Sequence, residues 1–218
     1  MPIESLKKKQ DRADKILKIL YESYPDAHCA LHHKNPLELL VATILSAQCT
    51  DKKVNQVTAV LFEKYKCPDD YATVDLLELE QDIKSIGLFR SKSKSLIKMG
   101  QRLADTYDSK VPNKMEDLIS LGGVGRKTAN VVLGNIFGIN EGIVVDTHVG
   151  RINSLLKLSN KNDAKKIELD LVKVFKYHQD EWCIISHLFI DHGRAICIAR
   201  RPKCFDCPIS MHCPSKII

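Results

Sequence analysis

Three glycines, a lysine and an aspartate carry the reactive possibilities of this 218-residue chain. The run Leu121-Gly122-Gly123-Val124-Gly125-Arg126-Lys127-Thr128-Ala129 leads through an apolar stretch to Val145-Asp146-Thr147-His148. Glycines let a chain turn where a Cβ would clash, and they bring bare backbone N–H groups against a phosphate. A helix starting directly afterwards aims its own free N–H groups the same way. Lys127 falls in the first turn of that helix, where the positive end of the helix dipole disfavours an ammonium. Partly buried there, it loses its proton more readily and becomes an amine nucleophile. Each residue alone also has a plainer role. Glycines make ordinary turns, a helical lysine is usually a solvated charge, and Asp146 suits the N-cap of a helix starting at Thr147. Together they make a different combination: an amine and a carboxylate beside a held phosphate. Backbone contacts of this kind position nucleic acid without reading its sequence.

Cysteine supplies the second constellation. Cys29, Cys49, Cys67 and Cys183 are scattered and read as buried or idle thiols in a reducing compartment. Cys197, Cys204, Cys207 and Cys213 follow a C-x6-C-x2-C-x5-C spacing within 17 residues. Metal is the leading reading of four thiols so close together. Zinc and a [4Fe–4S] cluster both accept four thiolates. The uneven spacing suits a loop around a larger cube, and zinc stays open on spacing alone. Arg200, Arg201 and Lys203 lie between the first two of these cysteines, where a rigid loop would present them to a polyanion.

The elements that must position these groups are almost all helical. Asp11–Tyr24 carries an apolar stripe, and Asn35-Pro36 caps and opens a helix through Leu45. Thr50 caps the next helix. Leu76–Ile86 reads as a helix ended by Gly87, and Ser91–Tyr107 as another. Asn113 and Glu116 form a capping-box pattern ahead of Met115–Leu121. Arg126–Phe137, Asp146–Leu158, Asp163–Tyr177 and Glu181–Arg194 complete an all-α chain of about ten helices. Ile143-Val144-Val145 is β-like but too short for more than an extended connector. Hydrophobic residues make up 44% and charged residues 28%, enough for a globular core. Lys and Arg outnumber Asp and Glu by 33 to 27, a net +6 that permits a polyanion partner without requiring one. No stretch is long and apolar enough to span a bilayer, and no signal peptide is evident. A soluble cytoplasmic protein is expected, with no membrane partner.

Leu121–Ala129 together with Val145–Arg151 resembles the helix-hairpin-helix and Gly/Pro…Asp signature of the endonuclease III family of DNA repair glycosylases. Leu45-Ser46-Ala47-Gln48-Cys49-Thr50-Asp51, Ile86–Lys92 and His187–Arg194 resemble further family segments in the expected order. The resemblance runs from about residue 15 to Cys213. It implies a two-lobed helix-hairpin-helix glycosylase fold with a [4Fe–4S] cluster loop. One lobe would span 25–133, with the helix-hairpin-helix at 113–137. The other would join 1–24 to 134–218, with the cluster loop at 197–213 and DNA in the cleft between lobes.

The implied activity is bifunctional. An N-glycosylase removes damaged, oxidised pyrimidines from duplex DNA, and an abasic-site lyase cuts 3′ to the site by β-elimination through a lysine Schiff base. Lys127 would be the nucleophile, and its presence separates this chain from relatives that only excise a base. Asp146 would stabilise positive charge on the sugar, with His148 beside it. Gly123, Val124 and Gly125 would hold the phosphate. Gln48 would fill the gap left by a flipped nucleotide and Leu88 would wedge into the stack. The four clustered cysteines match the family's cluster loop in order and length. The partner would be double-stranded DNA containing damaged pyrimidines or abasic sites, bound by a monomer, nucleoid-associated in a prokaryote.

Other readings are a glycosylase of the same fold acting on pyrimidine dimers or mismatched bases, and a non-catalytic iron–sulfur protein that senses redox state on DNA. Two positions depart from the family pattern. Gly122 stands where proline is more frequent, which implies a less rigid entry to the hairpin. The 18 residues between Lys127 and Asp146 are one more than expected, a difference assigned to the loop around Ile139–Gly142.

Overall fold

The computed structural model describes residues 4–217. Eleven α-helices account for most of them, and no strand occurs among the described residues. In chain order they are α1 (Leu6–Ser23), α2 (Pro36–Ser46), α3 (Asp51–Lys64), α4 (Pro68–Thr73), α5 (Leu76–Asp82) and α6 (Phe89–Thr106). Then follow α7 (Met115–Ile119), α8 (Arg126–Phe137), α9 (Thr147–Leu156), α10 (Ala164–Val174) and α11 (Trp182–Ala195). Short 3₁₀ turns lie at Lys176–Glu181, Cys204–Asp206 and Ser210–His212.

The chain divides into two compact units, one running continuously from Cys29 to Gly138. Its central element is α2, where every residue from Leu39 to Leu45 is buried. A helix apolar on all sides belongs inside its neighbours. Asn35 caps it by accepting from the Glu38 amide, and Pro36 sits at the first helical position. Thr50 caps α3 through the Lys53 amide. Helices α3, α6 and α8 pack around α2.

Several boundaries differ from the sequence expectations. The Pro68–Thr73 helix is additional, and Asp70 closes its first turn by accepting from the Lys66 and Cys67 amides. Helix α5 stops at Asp82 rather than running on to Gly87. Lys114 occupies the N-cap of α7 without a side-chain bond, so the expected Asn113 capping box does not form.

The second unit joins the described residues up to His28 with the chain from Ile139 onward. Ala13, Ile16, Leu17 and Leu20 of α1 bury one stripe against Val149, Ile152 and Leu156 of α9 and Ile185, Leu188 and Phe189 of α11. Phe175 and Phe189 meet edge to face, with centroids 6.1 Å apart. Ile143-Val144-Val145 is a buried connector, neither helix nor strand, and the Val144 amide donates to Ser186 Oγ at 3.0 Å. That bond satisfies a backbone group in a segment with no sheet partner.

Candidate active site

Within the continuous unit, the hairpin between α7 and α8 turns on Gly122, Gly123 and Gly125. Gly123 has φ +76°, a conformation that L side chains rarely adopt. Gly122 is there for a different reason. A Cβ at that position would lie 2.6 Å from the Ser95 carbonyl oxygen and 2.7 Å from Lys98 Cβ on α6. Proline carries the same Cβ, so close helix packing accounts for glycine here, and the packed α6 backbone restrains the hairpin's entry. The Val124 amide donates to the Leu121 carbonyl at 3.2 Å, and the buried Val124 side chain anchors the tip. Gly125 forms the N-cap of α8 without a side-chain bond, and a Cβ there would meet nothing within 4 Å. The first turn of α8 therefore starts beside open space.

Lys127 sits in that first turn and is exposed, not partly buried as the sequence suggested. It precedes Ala129, Val132 and Leu133, which form the buried side of α8. The ammonium is thus presented at the hairpin rather than packed beneath it.

Gln48 and Leu88 are both exposed and both left-handed, with φ of +55° and +60°. Non-glycine residues in this region carry strain of about 1–3 kcal/mol each. A Cβ on Gly87 would stand 3.5 Å from the Gln48 carbonyl oxygen, so the two loops touch. Lys92, which is only 4% exposed, reaches beneath them. Its Nζ donates to the carbonyls of Leu45 at 2.9 Å and Ala47 at 2.6 Å. Burial pushes the Lys92 ammonium below its ordinary pKa. Sequence reasoning passed over this residue, because Ser91-Lys92-Ser93-Lys94 looks like a solvated face. Its one signal is its helical spacing with the apolar Leu96 and Met99.

In the other unit, Asp146 is the N-cap of α9 and accepts from the Val149 amide through Oδ1 at 2.8 Å. This uses one carboxylate oxygen. His148 Nδ1 lies 3.2 Å from the Arg151 guanidinium. Arginine only donates, so this nitrogen accepts and Nε2 carries the proton. Arg151 also donates to the carbonyls of Gly193 and Cys197, both at 2.9 Å. His187 is pushed down to about 4 by burial, with the His28 and Arg194 charges adding and the Asp146 carboxylate opposing. His192, also lowered to about 4 by burial, lies between Tyr24 Oη at 3.1 Å and Cys207 Sγ at 3.6 Å.

Cys197, Cys204, Cys207 and Cys213 line one largely apolar cavity of about 60 Å³, together with Ile152 and Ile196. Burial raises the Cys197 and Cys207 thiols, and the neighbouring cysteines raise them further. Among the described residues no three His, Cys, Asp or Glu side chains stand as a ready-made set of ligands for one metal ion. Arg200, Arg201 and Lys203 are all exposed on the loop between Cys197 and Cys204.

A helical hairpin ahead of a lysine, and a capped aspartate on a later helix, define a class of DNA repair protein. Residues 41–176 match the family described as HhH-GPD superfamily base excision DNA repair protein. Endonuclease III of Synechocystis sp. is 45% identical over 213 residues, covering 98% of this chain and 96% of that protein. Two solved structures, a non-covalent endonuclease III–DNA complex and a trapped endonuclease III–DNA covalent intermediate, each superpose with a TM-score of 0.89. Each is 44% identical and covers 95% of this chain and 96% of its own. The chain belongs to the endonuclease III family.

Proposed function

We propose that this chain removes oxidised pyrimidines from duplex DNA and then cuts the strand 3′ to the abasic site through a Schiff base on Lys127. The observation that carries the reading is an exposed amine in the first turn of α8, directly after a glycine turn. The trapped covalent DNA intermediate of a relative 44% identical supports it.

The amine of Lys127 attacks C1′ of the damaged nucleotide, and the glycosidic C–N bond breaks with its electron pair leaving on the base. A proton reaches the base, the attacking nitrogen loses one of its own, and the ring oxygen takes up a proton as the sugar ring opens and the nitrogen becomes an iminium. The iminium acidifies the C2′ proton. Its removal sends the electron pair toward C3′ and expels the 3′-phosphate, after which water releases the lysine. Asp146 stabilises positive charge on the sugar as the base leaves, while Nε2–H of His148 offers a donor for a nearby phosphate. Backbone N–H groups of Gly123 and Gly125 hold the phosphate backbone, with Val124 anchoring the turn between them through its bond to Leu121. The nucleotide must leave the stack first, at a cost of a few kcal/mol. Gln48 fills the vacated space and Leu88 wedges into the stack.

The four clustered cysteines fit a [4Fe–4S] cluster, since they are four thiols around one apolar cavity. Such a cluster supplies a rigid crosslink that holds Arg200, Arg201 and Lys203 toward DNA. A brown protein whose visible absorbance disappears on substituting any of the four cysteines by serine is expected; a colourless, zinc-bearing protein overturns the assignment.

Borohydride trapping tests the reaction. Wild-type protein is expected to become covalently joined to a duplex containing an abasic site, and Lys127→Ala to give no adduct. Absence of an adduct with wild type on any abasic duplex would refute the lyase and leave a DNA-binding protein without this chemistry. Excision assays on thymine glycol, uracil, mismatched and dimer-containing duplexes identify which base leaves.

A further inference from the structure

Lys92 has a connectivity that its sequence neighbours lack. Its backbone amide, like that of Ser91, donates to the Leu88 carbonyl and closes the first turn of α6, so the difference lies in its side chain. Its ammonium donates to the carbonyls of Leu45 and Ala47 on either side of the last residue of α2. The side chain therefore ties the first turn of α6, which follows directly on Leu88, to the carbonyl immediately before Gln48. The Gln48 carbonyl in turn lies against Gly87.

The arrangement costs free energy in two ways. An ammonium is held out of water by two neutral carbonyl acceptors, and two non-glycine residues are kept at positive φ. A glycine at 48, or an apolar residue at 92, would relieve those costs. Each orphan carbonyl at the end of α2 also needs only one donor, and a water molecule is a donor as well. What water cannot do is fix Gln48 relative to Leu88. Expensive and locally strained structure of this kind is retained where geometry matters more than stability.

We infer that Lys92 is a positioning residue that locks Gln48 and Leu88 into one rigid pair, so that gap filling and wedging occur together when a nucleotide is extruded. This rests on the roles proposed above for Gln48 and Leu88. Lys92 itself touches neither DNA nor the reacting atoms.

The test compares Lys92→Met with wild type in the full chain on two DNA substrates. Single-turnover excision of an oxidised pyrimidine from a fully paired duplex requires extrusion. Borohydride trapping on an abasic single strand does not, because no stacked and paired nucleotide has to be displaced. The variant is expected to lose about tenfold or more on the duplex and less than about threefold on the single strand. Gln48→Ala with Leu88→Ala supplies the reference background. If Lys92 acts through those two residues, adding Lys92→Met to them costs little more, whereas an independent structural role adds its full loss.

Equal losses on both substrates, or additive losses in the combined variant, overturn the inference. So does wild-type excision from the duplex by Lys92→Met. Should that variant fail to fold, Lys92→Gln, which keeps a donor but has shorter reach, is judged by the same two ratios. Failure of wild type to trap on any abasic DNA overturns the functional reading and this inference with it. Normal trapping with an unimpaired Lys92 variant overturns this inference alone.

Discussion

At the scale of single residues, the hairpin glycines make separable demands. Gly122→Ala places a Cβ 2.6 Å from the Ser95 carbonyl, and backbone cannot yield as a flexible side chain can. A loss of about 1–3 kcal/mol in denaturant unfolding is expected. Gly125→Ala has open space around it and a negative φ of −100°, and is expected to cost less than about 1 kcal/mol. Equal effects of the two substitutions would contradict this packing. His187 gives a pH signature. It is held neutral in the fold and titrates down at about 4 instead of its ordinary 6.5, so the unfolded chain takes up the proton first as acid is added. Its contribution to stability is intact above about 6.5 and is lost as pH falls toward 4. The gap corresponds to roughly 3 kcal/mol at most. His187→Gln should flatten that part of the stability profile, and an unchanged acid limb would count against the assignment.

At the scale of elements, Asp146 caps α9, and substitution can separate that purpose from the one proposed for it in excision. Asparagine caps a helix about as well as aspartate, but carries no charge. Asp146→Asn is expected to unfold at nearly the wild-type midpoint while excision falls roughly 10²-fold or more, whereas Asp146→Ala adds about 1 kcal/mol of lost stability. Asparagine that retains full excision would reduce Asp146 to a cap. The caps at Asn35, Thr50 and Asp146 were all legible in the sequence, because a short polar side chain ahead of an apolar run has few other roles. So was the glycine hairpin. Features that depend on what lies far away in the chain were not. Lys92 looks solvated until α2, 45 or more residues earlier, is folded beside it. Gly122 looks like a looser proline until α6 is packed against it. The Pro68–Thr73 helix is too short to display a period, and side-chain closure of its first turn by Asp70 becomes visible only in three dimensions. Lys127 was legible by type and position, while its exposure depended on which side of α8 faces the core.

At the scale of the whole molecule, a net charge of +6 is modest, and local placement of cations matters more than their sum. Arg200, Arg201 and Lys203 stand exposed within four residues. Replacing all three with glutamine should weaken DNA binding and reduce the slope of log K against log salt by about 2–3, near 0.9 for each phosphate no longer neutralised. An unchanged slope, with the visible absorbance intact, would remove these residues from the DNA-binding surface. The division of the chain bears on how the protein is made. The Cys29–Gly138 unit is complete as soon as its own residues have been synthesised. Helix α1, in contrast, buries Ile16, Leu17 and Leu20 against α9 and α11, which are translated much later. At about 5–20 residues per second, its apolar stripe waits roughly 10–30 s for those partners. During that interval the stripe of α1 is uncovered apolar surface, while the unit that follows it is free to fold on schedule.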